Sequence, residues 1–173
     1  MNYENYLNPF NPKVLVDMGE YGKMEIELFP EVAPITVENF LGLVDRGFYD
    51  GIIFHRVIYG FMIQGGDPNG IGTGGSGKQI KGEFKMNGVD NPLNHTRGVI
   101  SMARSMMNDS ASSQFFIMHK DSPHLDGSYA AFGKVFAGFD TLDKIATVNT
   151  DGNDRPLTEQ KIKSIKFVTV EKA

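Results

Sequence analysis

The segment KMEIEL, Lys23–Leu28, alternates strictly, with Met24, Ile26 and Leu28 on one side and charged residues on the other. Only an extended chain repeating every two residues puts those three apolar side chains on one face, so this is a strand with one side buried. Further strands are expected at Val14–Met18, Ile53–Val57, Met62–Gly65, Val99–Met102, Gln114–Met118, Ala130–Val135 and Ile162–Val170. Two segments carry a helical period instead. Pro34 and Thr36 open a stretch in which Val37, Phe40, Leu41 and Val44 form a single stripe, and Gly47 stands where a left-handed C-terminal cap would sit. Asp140–Ala146 is a shorter helix that turns Leu142 and Ile145 to the core. Many short strands, few helices and glycine-rich connections predict a mainly-β fold, a closed antiparallel barrel with helices over its open ends.

The 173 residues fit one domain, and no repeat or linker divides them. Residues 1–12 are polar and aromatic with Pro9 and Pro12, and read as an N-terminal extension ahead of a domain over 13–173. A net charge of −4 without a Lys/Arg cluster argues against nucleic acid as the partner. With no cysteine there is neither disulfide, zinc-thiolate site nor thiol chemistry. The N-terminal MNYENYLNPFNPK lacks the basic and apolar regions of a secretory leader, and no window is apolar enough to span a membrane, so the cytoplasm is the expected setting.

Several motifs invite chemistry and do not carry it. Gly72–Gly77 matches G-x-G-x-x-G formally, but KQIKGEF after it reads as strand and loop rather than helix, so a surface loop with glycine-only backbone angles is the better account. His55, His95, His119 and His124 lack the spacing of a metal pair, and no metal site or cofactor is expected. No serine sits in a G-x-S-x-G elbow. FHRVIYGFMIQGG, Phe54–Gly66, is different, because it sets Arg56 and Gln64 into an otherwise apolar hairpin. Arg56 either points to water from a half-buried strand or is a donor poised over an apolar pocket.

That hairpin, with G-T-G-G, S-M-A, SSQFFIMHKDSPHLDG and AAFGKV following in order, resembles the cyclophilin family of peptidyl-prolyl cis–trans isomerases, from about Val14 to Val170. The resemblance implies an eight-stranded antiparallel barrel capped by two α-helices, and rotation about X–Pro bonds of peptides and unfolded proteins without metal, cofactor or covalent intermediate. It implies that Arg56 is the catalytic arginine and that Phe61, Met62, Phe116 and Leu125 form the proline pocket. Gln64 and Gln114 match the residues that hold the arginine and the peptide backbone. Ala103 and Arg104 match the segment that pairs with substrate, where many relatives have asparagine at the second position. Gly72, Thr73 and Ser105, with Glu83, are expected to border a pocket for the residue two or three before the proline. Two departures stand out: His124 replaces the usual tryptophan and Tyr129 a frequent histidine, as in bacterial-type single-domain members. Because the tryptophan N–H helps bind cyclosporin, only weak binding of that drug is expected. The alternative is a proline-segment binding chaperone or adaptor with incidental turnover. A monomer is the expected state.

Overall fold

The structure, a computed structural model, describes residues 3–168. Its eight strands are β1 (Lys13–Asp17), β2 (Lys23–Leu28), β3 (Phe54–Ile58), β4 (Met62–Gly65), β5 (Val99–Met102), β6 (Phe115–Met118), β7 (Ala131–Ala137) and β8 (Ser164–Phe167). Two helices join them, α1 (Pro34–Asp45) and α2 (Phe139–Ala146). Each strand lies within a residue or two of its expected place, except that β7 runs on to Ala137 and the last strand is shorter, with Val170 outside the described residues.

The strands form one antiparallel sheet in the order β3-β4-β6-β5-β7-β2-β1-β8. The sheet curls, but it is not the closed barrel expected. Among the described residues no ladder joins β3 to β8. The chain at the start of β3 meets residues ahead of β8 instead, through an isolated bridge between Ile53 and Lys161 and bonds from Gly51 N to Ile162 O (2.8 Å) and Phe54 N to Gln160 O (2.9 Å). Residues 151–163 are taken up by turns before β8 begins at Ser164, so the outer flank of β3 gains little beyond Val57 N to Asp154 O, 2.8 Å. Closure of a sheet needs a continuous register that this segment does not supply.

The concave face is aromatic. Phe40 of α1 lies 5.2 Å from Tyr49, 5.8 Å from Phe115 and 5.3 Å from Phe132, ring centre to ring centre. The α1 stripe differs slightly from expectation: Leu43 is buried beside Val37, Phe40 and Val44, while Leu41 is half-buried. Gly47 takes φ 68° and its N–H meets Val44 O, with Phe48 N to Leu43 O closing a Schellman turn. α2 rests against β2, β3 and β4. The N-terminal segment folds back on the sheet: Tyr6 is buried against Phe29, and Lys134 Nζ stands 4.0 Å above the Tyr3 ring, while Phe10 is exposed.

Candidate active site

Arg56 and Gln64 face each other across the β3–β4 hairpin, so both side chains leave the sheet on its convex face. A bulge makes this possible. Phe54 pairs with Gly65 and Arg56 with Gln64, leaving His55 as the extra residue, so Phe54 and His55 are both buried while Arg56 is exposed. Met62, two residues before Gln64, shares the face, as does Phe116, which opposes Gln64 from β6. The hairpin turn is fixed from outside: Gly60 N–H donates to His119 Nδ1 (2.9 Å), and His119 Nε2 lies 3.1 Å from Asp143. Arg97 grips the same carboxylate bidentately, at 2.7 and 2.9 Å, and holds its pKa below the ordinary value.

A cavity of about 140 Å³ opens on this face, lined by Arg56, Phe61, Met62, Gln64, Ala103, Arg104, Phe116, Leu125 and Tyr129. Its floor is apolar and packed. Met62, Phe116 and Leu125 are buried, and the Phe116 ring stacks on His95 (6.0 Å, 16°) and meets Tyr129 edge-on (5.6 Å, 87°). Behind the floor, His95 Nδ1 lies 3.0 Å from Asp126 Oδ1 and Nε2 lies 2.9 Å from Ser101 Oγ. With Asp126 ionised, Nδ1 carries the proton and Nε2 accepts from the serine hydroxyl. Burial lowers the His95 pKa against the opposing pull of Asp126, so the ring stays neutral near neutral pH.

The guanidinium is oriented by a relay. Arg56 Nη1 donates to Gln64 Oε1 (3.4 Å), Gln64 Nε2 to Gln114 Oε1 (3.0 Å), and Gln114 Nε2 to Gly74 O (2.9 Å). No carboxylate pairs with Arg56 among the described residues. Its remaining donors are therefore available to a ligand in the cavity.

A second cavity, about 440 Å³, adjoins the first and shares Gln64, Ala103 and Arg104 with it. Gly72, Thr73, Ser105 and Gln114 line it. Its glycine loop is staked by Asp67, whose carboxylate accepts N–H bonds from Asn69, Ile71, Gly72 and Thr73 at 2.6–3.1 Å. Burial would raise the Asp67 pKa, but backbone N–H bonds outweigh it and the group is held below its usual value. The loop's own carboxylate thus fills the nest that a phosphate would need.

Two expected residues lie elsewhere. His124 is exposed and touches the site only at its rim, its ring 5.7 Å from Phe61. Glu83 is buried but turns away to α1, accepting from Thr36 N (2.6 Å) and Thr36 Oγ1 (2.8 Å). Ala33, which precedes the helix, has no side chain able to cap it, and the distant carboxylate does so instead. Sequence reading missed His95, Ser101, Asp126 and Asp67 as supports, because their partners lie in other segments and carry no local spacing. Among the described residues no three His, Asp or Glu side chains gather as a metal site.

Comparison with known proteins places the chain in a family. Residues 13–167 match the family described as cyclophilin type peptidyl-prolyl cis-trans isomerase/CLD. The chain is 52% identical over 118 residues to peptidyl-prolyl cis-trans isomerase B of Bacillus subtilis, covering 68% of this chain and 79% of that protein. It is 46% identical over 145 residues to peptidyl-prolyl cis-trans isomerase-like 2 of Gibberella zeae, covering 83% of this chain but only 25% of that longer relative. A crystal structure of a Cryptosporidium parvum cyclophilin type peptidyl-prolyl cis-trans isomerase superposes with a TM-score of 0.85 at 35% identity, over 93% of this chain and 99% of that one. The same protein in the presence of the dipeptide Ala-Pro gives 0.83 at 36% identity, over 91% and 99%. On a match that spans nearly all its described residues, this chain belongs to the cyclophilin-type peptidyl-prolyl cis-trans isomerase family.

Proposed function

We propose that this chain accelerates cis–trans rotation about X–Pro bonds, with the proline ring in the cavity of Phe61, Met62, Phe116 and Leu125 and with Arg56 as the catalytic donor. The observation that carries the reading is the position of Arg56: a guanidinium without a carboxylate partner, oriented by Gln64 and Gln114, beside a slot floored by the buried Met62, Phe116 and Leu125. The Ala-Pro dipeptide used with the Cryptosporidium parvum relative supports proline as the ring bound.

The bond turns slowly because conjugation keeps the amide planar, with a barrier of about 18–20 kcal/mol. No covalent bond must break. In the twisted state conjugation is lost, and the pyramidal imide nitrogen gains a lone pair that accepts a hydrogen bond. Arginine suits that acceptor: it stays charged and presents several donors in one plane. A charge-assisted bond of this kind contributes about 1.5–3 kcal/mol, or one to two powers of ten in rate when it forms only in the transition state. The remainder comes from gripping the ring while the peptide is fixed on one side by the Ala103–Arg104 edge.

A protein that only held proline segments would need the slot and the edge, but not a guanidinium set by two glutamines, which favours the enzyme. The clients are proline-containing peptides and unfolded proteins, and a monomer suffices because one chain lines the whole cavity. No helix among the described residues is long and apolar enough to cross a membrane, and the cytoplasm is the proposed setting. Residues 1–12 are proposed as an extension to the isomerase domain of 13–173. Nuclear magnetic resonance exchange on a short X–Pro peptide tests the activity: added protein should raise the interconversion rate, and an unchanged rate with bound peptide would favour the binding module.

A further inference from the structure

Arg104 stands where the two cavities meet, lining both. Its guanidinium is clamped between two rings, 4.7 Å from the centre of Phe84 and 4.7 Å from that of Tyr129. Nε and Nη2 donate to Ser128 O at 3.1 and 2.6 Å, and Nη1 to Ser105 O at 3.0 Å. Those three bonds leave two of the five N–H donors of a guanidinium uncommitted. Acidic side chains of the surrounding segments are engaged elsewhere: Glu83 on Thr36, Asp109 on Gly82 N and Asn87, and Asp126 on His95. No ion pair to Arg104 forms among the described residues.

What sets Arg104 apart is not that it lacks an ion pair but that rings and backbone carbonyls hold its guanidinium in one place. Most surface ion pairs are weak because two long side chains must be immobilised to make them. Here the rings and backbone carbonyls already hold one partner, so a ligand carboxylate meets a fixed fork. Arg56 lines the same slot, and neither cation has a carboxylate partner among the described residues.

Resting on the isomerase reading above, we propose that Arg104 selects substrates with an acidic residue one or two positions before the proline. Arg104 lines both the proline slot and the neighbouring cavity, so the side chains that pass over it belong to those positions. Arg104 is in this account a specificity-determining residue, and Arg56 remains the catalytic one.

The test is exchange spectroscopy on matched peptides carrying Glu, Gln or Lys at each of the two positions, at low salt and at about 0.5 M salt, which reads both binding and turnover. The Glu peptide should exceed its Gln counterpart by about three- to fivefold in kcat/KM at one of the positions, the range of an exposed ion pair, with the Lys peptide below both. The preference should fade at high salt. In Arg104→Gln the Glu/Gln ratio should fall to about one, and Arg104→Lys should retain part of it. Because the ratio is taken within one sample, any loss of folded protein cancels. Turnover without a Glu preference, or a preference that survives Arg104→Gln, overturns the proposal. Tighter Glu-peptide binding with no turnover of any peptide upholds the selection and removes the isomerase reading instead.

Discussion

Gln114 shows how much a single side chain does for Arg56 without touching it. Its amide oxygen anchors Gln64, and its nitrogen is tied to Gly74 O. Gln114→Ala should lower kcat/KM by up to about tenfold, the worth of a neutral hydrogen bond, with the thermal midpoint close to that of the parent. Peptide exchange and calorimetry on the same sample check both halves. The rim residue His124 makes a second prediction. It offers no indole N–H beside Phe61, so cyclosporin should inhibit weakly, and a titration showing tight stoichiometric inhibition would contradict this. Met62, Gln64 and Phe116 were legible in the sequence only through the ordered motifs that resemble cyclophilins, since alternation within a strand does not say which face carries a site. Asp67 and His95 were not, since a carboxylate that stakes a glycine loop and a histidine beneath a phenylalanine look like any other polar residue until the chain folds.

Among the elements, α1 depends on a residue far from it in sequence. Glu83 reaches across 47 positions to the first-turn N–H of Thr36, in a site only 3% exposed. Glu83→Ala leaves that donor buried and unpaired, and should cost about 1–3 kcal/mol of stability; urea unfolding measures it. The helix itself was visible from its apolar stripe and from Gly47, whose left-handed φ matched its cap position. Its N-terminal cap was hidden, because Ala33 gives no local signal and tertiary contacts have none to give. The strands were legible for the same reason as the stripe: period two is a local property. The failure of β3 and β8 to zip together was not, since closure depends on how residues 151–163 spend their backbone bonds.

For the molecule as a whole, acid should loosen the fold through its buried histidines. Burial lowers the pKa of His95 and also of His55, whose Nδ1 has no hydrogen-bond partner. An unfolded histidine titrates near its ordinary 6.5, so below that pH the unfolded chain takes up protons that the native one refuses. Stability contributed by the neutral rings is therefore complete above about pH 6.5 and is lost as pH falls below it, toward the lowered native values. The thermal midpoint should drop between pH 7.5 and 5. His95→Gln should flatten part of that slope. A midpoint independent of pH over this range would contradict the burial argument. Asp67 and Asp143, held below their ordinary 3.8, add a further loss only in stronger acid.

The measurement that bears most directly on the central claim is the proline-limited refolding of a client protein catalysed by Arg56→Ala, compared with the parent at equal concentrations of folded enzyme. Arg56 is exposed and supports no packing, so the variant should fold normally. Its catalytic rate should fall by about 2–4 kcal/mol of transition-state stabilisation, roughly 30- to 1,000-fold. An undiminished rate would show that the guanidinium at the mouth of the slot is not what turns the bond.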